Sequence, residues 1–187
     1  LLLSEESAMM LQAVGEQMTI VAQRFVLRPA QVSDVGLYAL HAGDLRVAVG
    51  TSSIPHPLPP GAAEAFIARA MNPLGDERVW VMDGMAHGMP ELMGVISLKQ
   101  MGRNQSEIEY WVAPAFWNTG YASEAVWALI LANPLKNSAI FAQVFQDNPG
   151  SARVLTNCGF GYLGDAESFS VARNAGVQTW TYLRAMV

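Results

Sequence analysis

Apolar and polar positions along this chain follow two rhythms, one of strands and one of helices. Phe25-Val26-Leu27-Arg28 is a short apolar run closed by Pro29, which predicts a first strand. Arg78 to Met82, Leu92 to Leu98 and Glu107 to Val112 predict three more, with Pro114 closing the third. Ala139 to Phe145 reads as another strand, and Phe160 to Leu163 and Val177 to Met186 as two last ones around a polar connection. Helical spacing falls between them. Ser33 and Asp34 suit the N-cap of a helix to about His41, and Ala62 to Met71 sets Ala63, Phe66, Ile67 and Ala70 on one stripe. Ser123 to Ala132 reads as a helix ended by Asn133-Pro134. A last helix starts at Pro149 with Asn148 as cap, runs to about Asn157 and ends at Gly159. The succession β-α-α-β-β-β-α-β-α-β-β predicts an α/β domain: a mixed central sheet of six to seven strands flanked by about four helices. Residues 1–22 read as a loose or helical extension, and 23–187 as one domain.

Composition narrows the function classes. At 187 residues and 51% hydrophobic, the chain can bury a substantial core. It has no run of 18 apolar residues, so no membrane span is expected. A formal charge of −5 without a basic block argues against general nucleic-acid binding. It suits a cationic substrate such as an amine, and equally plain solubility. The single cysteine, Cys158, excludes an intrachain disulfide and fits a reducing compartment. Leu1 to Glu6 lack the basic leader and long apolar stretch of a secretory signal, so a cytoplasmic location is expected. No Cys/His/carboxylate spacing points to a metal site.

Candidate chemistry gathers at Trp117-Asn118-Thr119-Gly120-Tyr121-Ala122, between a predicted strand and a predicted helix. The first N–H groups of a helix lack partners within it, and its dipole adds partial positive charge there. Gly120 and Ala122 let an anion approach the main chain closely, so a phosphorylated ligand is expected. Glu107 and Glu109 lie two apart on a strand and share a face, which makes them candidate proton acceptors or simply two solvated carboxylates. Asn148 and Ser151 sit one turn apart on one helix. His56 lies in the proline-rich loop Ile54 to Gly61.

The runs Glu107-Ile108-Glu109-Tyr110-Trp111-Val112 and Trp117 to Ala125 resemble the acetyl-CoA motif of the GNAT N-acetyltransferase superfamily, most of all its RimJ/RimL-like branch. Asn148 to Phe160 resembles that branch's N-x-x-S-x-x-V-x-x-x-x-G-F segment. The resemblance implies a GNAT-like fold and direct acetyl transfer from acetyl-CoA to an amine, on a small molecule or a protein N-terminus, without a metal. A homodimer is compatible with it. It implies that the main chain of Asn118, Thr119, Gly120, Tyr121 and Ala122 holds the pyrophosphate. Trp111 and Val112 would pair with the pantetheine arm and polarise the thioester carbonyl, and Asn148 and Ser151 would also contact the donor. It further implies Glu107, with Glu109 as a second carboxylate, for the base, and Ser151 for protonating the thiolate, with Tyr110 and Tyr162 as more distant alternatives. The loop carrying His56 would border the acceptor pocket. The chain departs from the branch at Asn118, where the first turn glycine stands, at Glu109, and at Leu155, where many members carry a tyrosine acid. Leu155 and Asn118 keep a second reading open, a non-catalytic acyl-CoA-binding module; a third, an unrelated nucleotide-binding domain, lacks its usual Lys-Ser/Thr after the glycines, where Tyr121-Ala122 stands.

Overall fold

The sheet is built from β1 (Ile20–Val21), β2 (Val26–Pro29), β3 (Glu77–Asp83), β4 (Gly94–Gly102), β5 (Gln105–Val112), β6 (Ala139–Phe145), β7 (Gly161–Ser170) and β8 (Ala175–Ala185). In this computed structural model, which describes residues 17–186, they form one sheet in the order β1-β2-β3-β4-β5-β6-β8-β7. Neighbours run antiparallel except β5 and β6, which run parallel. Five α-helices accompany it among the described residues: α1 (Val35–Ala42), α2 (Leu45–Ala48), α3 (Ala62–Ala70), α4 (Tyr121–Ala132) and α5 (Pro149–Asn157). None is long and apolar enough to cross a membrane.

Alternate strand residues serve two cores, which is why the central strands read as unbroken apolar runs. Val79, Val81 and Val95 pack with Tyr38 and Ala42 of α1 and with Ala63, Ile67 and Ala70 of α3. Trp80, Met82, Ile96, Leu98, Ile108 and Ile140 face the other way, onto Ala125, Val126, Leu129 and Ile130 of α4 and Leu155 of α5.

The expected α/β class and mixed sheet hold, with eight strands rather than six to seven. The additional strand is β1, which pairs Ile20 with Leu27 and Val21 with Val26. The described end of the expected N-terminal extension thus joins the sheet, and residues 1–16 lie outside the described residues. Two residues give no periodicity, so β1 left no local signal. The strand expected at Phe160 to Leu163 extends through β7 to Ser170, because β8 pairs with it along that length. Its half-exposed alternation of polar and small residues resembles a loop in sequence.

Asp34 takes a different role from the expected cap. It stands at the N-cap position of α1 without capping it. Instead its fully buried carboxylate receives Arg28 Nη1 at 2.9 Å and Nη2 at 2.7 Å, and the Gln31 N–H at 2.7 Å. Arg28 Nε reaches Asp83 at 2.7 Å. The bond to Asp34, opposed by burial and reinforced by the bond to Asp83, raises the Arg28 pKa above its ordinary value.

Candidate active site

The two parallel strands part company. β5 and β6 pair only from Gln105/Ala139 to Glu107/Phe141. Beyond that, β5 stays with β4 to the Gly94/Val112 pair, and β6 stays with β8 to the Phe145/Thr179 pair. A Cβ on Gly94 would overlap the Trp111 carbonyl, so glycine keeps the end of β5 tight against β4. Ala113 N–H donates to Met93. Alternate residues of an antiparallel strand bond the same neighbour, so Trp111 also turns its main chain to β4. Tyr110 and Val112 turn theirs into the opening. Of the two residues expected to offer an N–H there, Val112 is therefore the one facing the gap.

Two cavities meet at this parting. The first, about 720 Å³, runs from Tyr110, Trp111 and Val112 past Asn118, Gly120, Tyr121 and Ala122 to Asn148 and Ser151. The second, about 490 Å³, is lined by Glu77, Lys99, Glu107 and Glu109, with Tyr38, Phe66, Asn148 and Ser151 also on its walls. Asn148, Ser151, Tyr110 and Trp111 line both and mark the seam between them.

At the mouth of the larger cavity the turn has the expected form. Asn118 has φ 59° and Gly120 φ 83°, both left-handed, a conformation that asparagine tolerates better than most residues. α4 starts at Tyr121, directly after Gly120. The Thr119 hydroxyl donates to the Phe116 carbonyl, and the Trp117 indole N–H donates to the Val112 carbonyl at 2.6 Å. These bonds tie the turn to the end of β5, so the Trp117 indole is a structural tether as well as a packing surface.

In the smaller cavity Glu107 and Glu109 share the face read from their spacing. Lys99 of β4 stands opposite Glu107 of β5 and opposite Glu77 of β3, whereas Glu109 stands opposite Ser97. Desolvation raises the Glu107 pKa, and Lys99 opposes it. For Glu109 desolvation again leads, then the negative charges of Glu107 and Glu77, with Lys99 opposing. Solvent reaches Glu109 through the open side of the cleft, but the surrounding walls still disfavour its charge. Tyr38 stacks on Phe66 at 4.2 Å and meets Trp111 edge-on at 5.9 Å, forming an aromatic wall. Burial pushes the Tyr38 hydroxyl up to about 12. His56 is exposed and outside this lining, and Ser52, Ser53 and Ile54 of the same stretch take that place.

Ser151 and Tyr110 form a pair that the sequence did not join. Ser151 Oγ donates to Tyr110 Oη at 3.0 Å, and Tyr110 Oη donates to the Ser151 carbonyl at 3.0 Å. Burial, partly offset by the bond to Ser151, raises the Tyr110 pKa, which keeps its proton in place at neutral pH. Asn148 caps α5 through Oδ1, which accepts the Ser151 N–H at 3.2 Å. Leu155 is fully buried on the wall of the smaller cavity. Tyr162 lies elsewhere, exposed, with its hydroxyl donating to Asp165. Cys158 is buried, and burial pushes its thiol up to about 11, which fits a packed side chain. If the cleft carries out the acetyl transfer that the sequence resemblance implies, Tyr110→Phe is expected to lower kcat about tenfold, and Ser151→Ala less because Tyr110 keeps its bond to the Ser151 carbonyl. Steady-state thiol release checks this, and an unchanged kcat in Tyr110→Phe would assign the pair to packing alone.

Arg173, at the tip of the β7–β8 hairpin, lines the larger cavity. Its Nε and Nη2 donate to the Val49 carbonyl at 2.9 and 2.6 Å, and its Nη1 reaches Asp147 at 2.5 Å. Nearby, the Val171 N–H donates to the Ser52 carbonyl at 2.9 Å. Arg173, Arg46 and Arg153 line the larger cavity, the first two paired with Asp147 and Asp44; Arg153 sits at an unspecified position of the Asn148 to Phe160 segment, and the other two stand outside any motif. Among the described residues, no group of three or more His, Cys, Asp or Glu is placed to hold a metal ion.

Residues 24–161 match the family model of the acetyltransferase (GNAT) domain. The chain belongs to that family. Solved structures share its fold. A GNAT-family acetyltransferase from Bacillus anthracis is 21% identical, with a TM-score of 0.74 over 90% of this chain and 99% of that one. Mycobacterium smegmatis RimJ, in complex with CoA-disulfide, is 18% identical, with a TM-score of 0.74 over 90% of this chain and 87% of that one. Spermidine N-acetyltransferase from Vibrio cholerae, in complex with CoA and spermine, is 17% identical, with a TM-score of 0.70 over 86% and 95%. No curated protein matches the chain in sequence.

Proposed function

We propose that this chain is a RimJ/RimL-like N-acetyltransferase that moves an acetyl group from acetyl-CoA directly to a primary amine. The observation that carries the reading is the parting of β5 from β6, which sets a left-handed anion turn at one end of a continuous cleft and carboxylates at the other. Acetyl-CoA suits the larger cavity: its pyrophosphate against the N–H groups of Asn118 to Ala122, its arm along Tyr110 to Val112 and Asn148. The Val112 N–H polarises the thioester carbonyl. The amine enters from the acidic cavity, where Glu109, with Glu107 beside it, removes its proton directly or through a water. The amine nitrogen bonds the carbonyl carbon, the C–S bond breaks, and the Tyr110–Ser151 pair supplies the proton to the leaving thiolate. RimJ and the spermidine enzyme, both similar in fold, support an amine acceptor, either a protein N-terminus or a small molecule. An α-amine, with a pKa of about 8, needs less help from the base than a lysine-type amine at about 10.4.

The apolar Leu155, where many superfamily members carry a tyrosine, favours a second reading, a CoA-binding module without turnover. Calorimetry with CoA, followed by thiol release from acetyl-CoA across N-terminal peptides, polyamines and small amines, separates the two. Binding with turnover on at least one amine is the expected result. Binding without turnover on any of them supports the module, and no binding of CoA overturns both.

A further inference from the structure

Arg24, in the turn between β1 and β2, holds the far side of the Asn118 to Ala122 turn. Its main-chain N–H donates to Glu124 Oε1 at 2.7 Å, and its Nε donates to Glu124 Oε2 at 2.6 Å. Its Nη1 donates to the Thr119 carbonyl at 3.0 Å, and its guanidinium lies 4.0 Å above the Tyr121 ring. Three residues of the turn and helix start, Thr119, Tyr121 and Glu124, are therefore held by one residue from another part of the chain.

The peptide between Thr119 and Gly120 is planar and trans, so its C=O and N–H point in opposite directions. With the Thr119 carbonyl bound to Arg24, the Gly120 N–H points away from Arg24. Gly120 itself lines the larger cavity. A Cβ on Gly120 would come within 3.4 Å of Arg24 Nη2, so the guanidinium also backs the residue from behind. Glu124 neutralises most of the added charge and anchors the fork, leaving orientation as its main effect.

We propose that Arg24 is a positioning residue for donor recognition: by holding the Thr119 carbonyl it aims the Gly120 N–H at the diphosphate of the donor, and so makes the enzyme select acetyl-CoA over thioesters that lack a diphosphate. The proposal rests on the acetyl-CoA reading above. It assigns a function to two residues 100 positions apart.

The test uses the full chain with two donors, acetyl-CoA and S-acetylpantetheine, which carries the same thioester and arm without phosphate. Arg24→Ala is expected to raise KM for acetyl-CoA about tenfold, the scale of one lost contact between an anion and a helix N-terminus, with kcat retained. The kcat/KM for S-acetylpantetheine changes less than about twofold, so the preference between donors narrows. Arg24→Lys keeps the charge but not the fork and is expected to retain most of the defect. Glu124→Gln, which loosens the anchor, gives an intermediate defect and serves if Arg24→Ala does not fold. An equal loss on both donors, or an unchanged KM for acetyl-CoA in all three variants, overturns the proposal. Wild-type chain that binds no CoA fails the acetyltransferase reading instead, and is recognised before any variant is compared.

Discussion

Asp34→Ala is expected to lower stability by about 3 kcal/mol, the low end of the loss for a broken buried ion pair. In a chain of this size that corresponds to a fall in Tm of roughly 6–12 °C. The Asp34 carboxylate is fully buried and receives both terminal nitrogens of Arg28, itself buried. Removing it leaves a desolvated guanidinium with Asp83 at 2.7 Å and Glu91 at 3.7 Å. Asp83 keeps the charge from being wholly uncompensated, which is why the low end is expected. The Gln31 N–H also loses its acceptor at the entry to α1. The damage should reach the site, because α1 carries Tyr38, whose ring stacks on Phe66 and abuts Trp111 on the wall of the acidic cavity. Thermal melts of the two proteins decide it: a Tm within about 2 °C of the parent would show that Asp83 and Glu91 suffice.

The largest catalytic effect is expected at the carboxylates. Glu109→Gln should lower kcat/KM about 100-fold or more, the scale of a lost general base, and Glu107→Gln by about tenfold or less. The assignment moves from Glu107 toward Glu109 for two structural reasons. Lys99 stands across from Glu107 but not from Glu109. At about 3.3 Å per strand residue, Glu109 lies roughly 10 Å along β5 from the Val112 N–H and Glu107 roughly 17 Å. The pH profile gives an independent reading. Desolvation and the charges of Glu107 and Glu77 raise the Glu109 pKa, so with Glu109 as the base the acid limb of kcat/KM is expected above that group's ordinary pKa. Removing a neighbouring negative charge, as in Glu77→Gln, should move that limb to lower pH, and removing the Lys99 charge should move it higher. Linkage adds a stability effect of opposite sense. A carboxyl with a raised folded-state pKa binds more protons in the folded state, so its contribution to stability is present at low pH and is lost as pH rises through that pKa. Glu109→Gln is therefore expected to lose activity at neutral pH without losing Tm. If instead Glu107→Gln shows the larger loss, the base returns to Glu107.

Much of the fold was legible because its signals are local. Ala139–Phe145 and Pro149–Asn157 fall where the apolar run, Asn148, Pro149 and Gly159 place them. The Asn118 and Gly120 conformations follow from which side chains tolerate positive φ. The elements without a local signature are either too short for periodicity, as in β1 and the four-residue α2, or too polar to resemble a strand, as in the outer half of β7. Asp34 shows a different failure. Its position and residue type fit an N-cap, but a buried arginine six residues earlier competes for the carboxylate and wins.

By itself the sequence determined the order of elements, the shared face of Glu107 and Glu109, and the turn that opens α4. These depend on side-chain periodicity and on backbone preferences a few residues long. Only the tertiary structure decided that β5 and β6 separate after Glu107, that Tyr110 meets Ser151, that Arg24 reaches Glu124 and Thr119, and that Arg173 closes over Val49. The side-chain contacts among these join residues between 41 and 124 positions apart. Which partner a hydroxyl or guanidinium finds at such separations depends on how the two cores pack the sheet, and no local pattern encodes that.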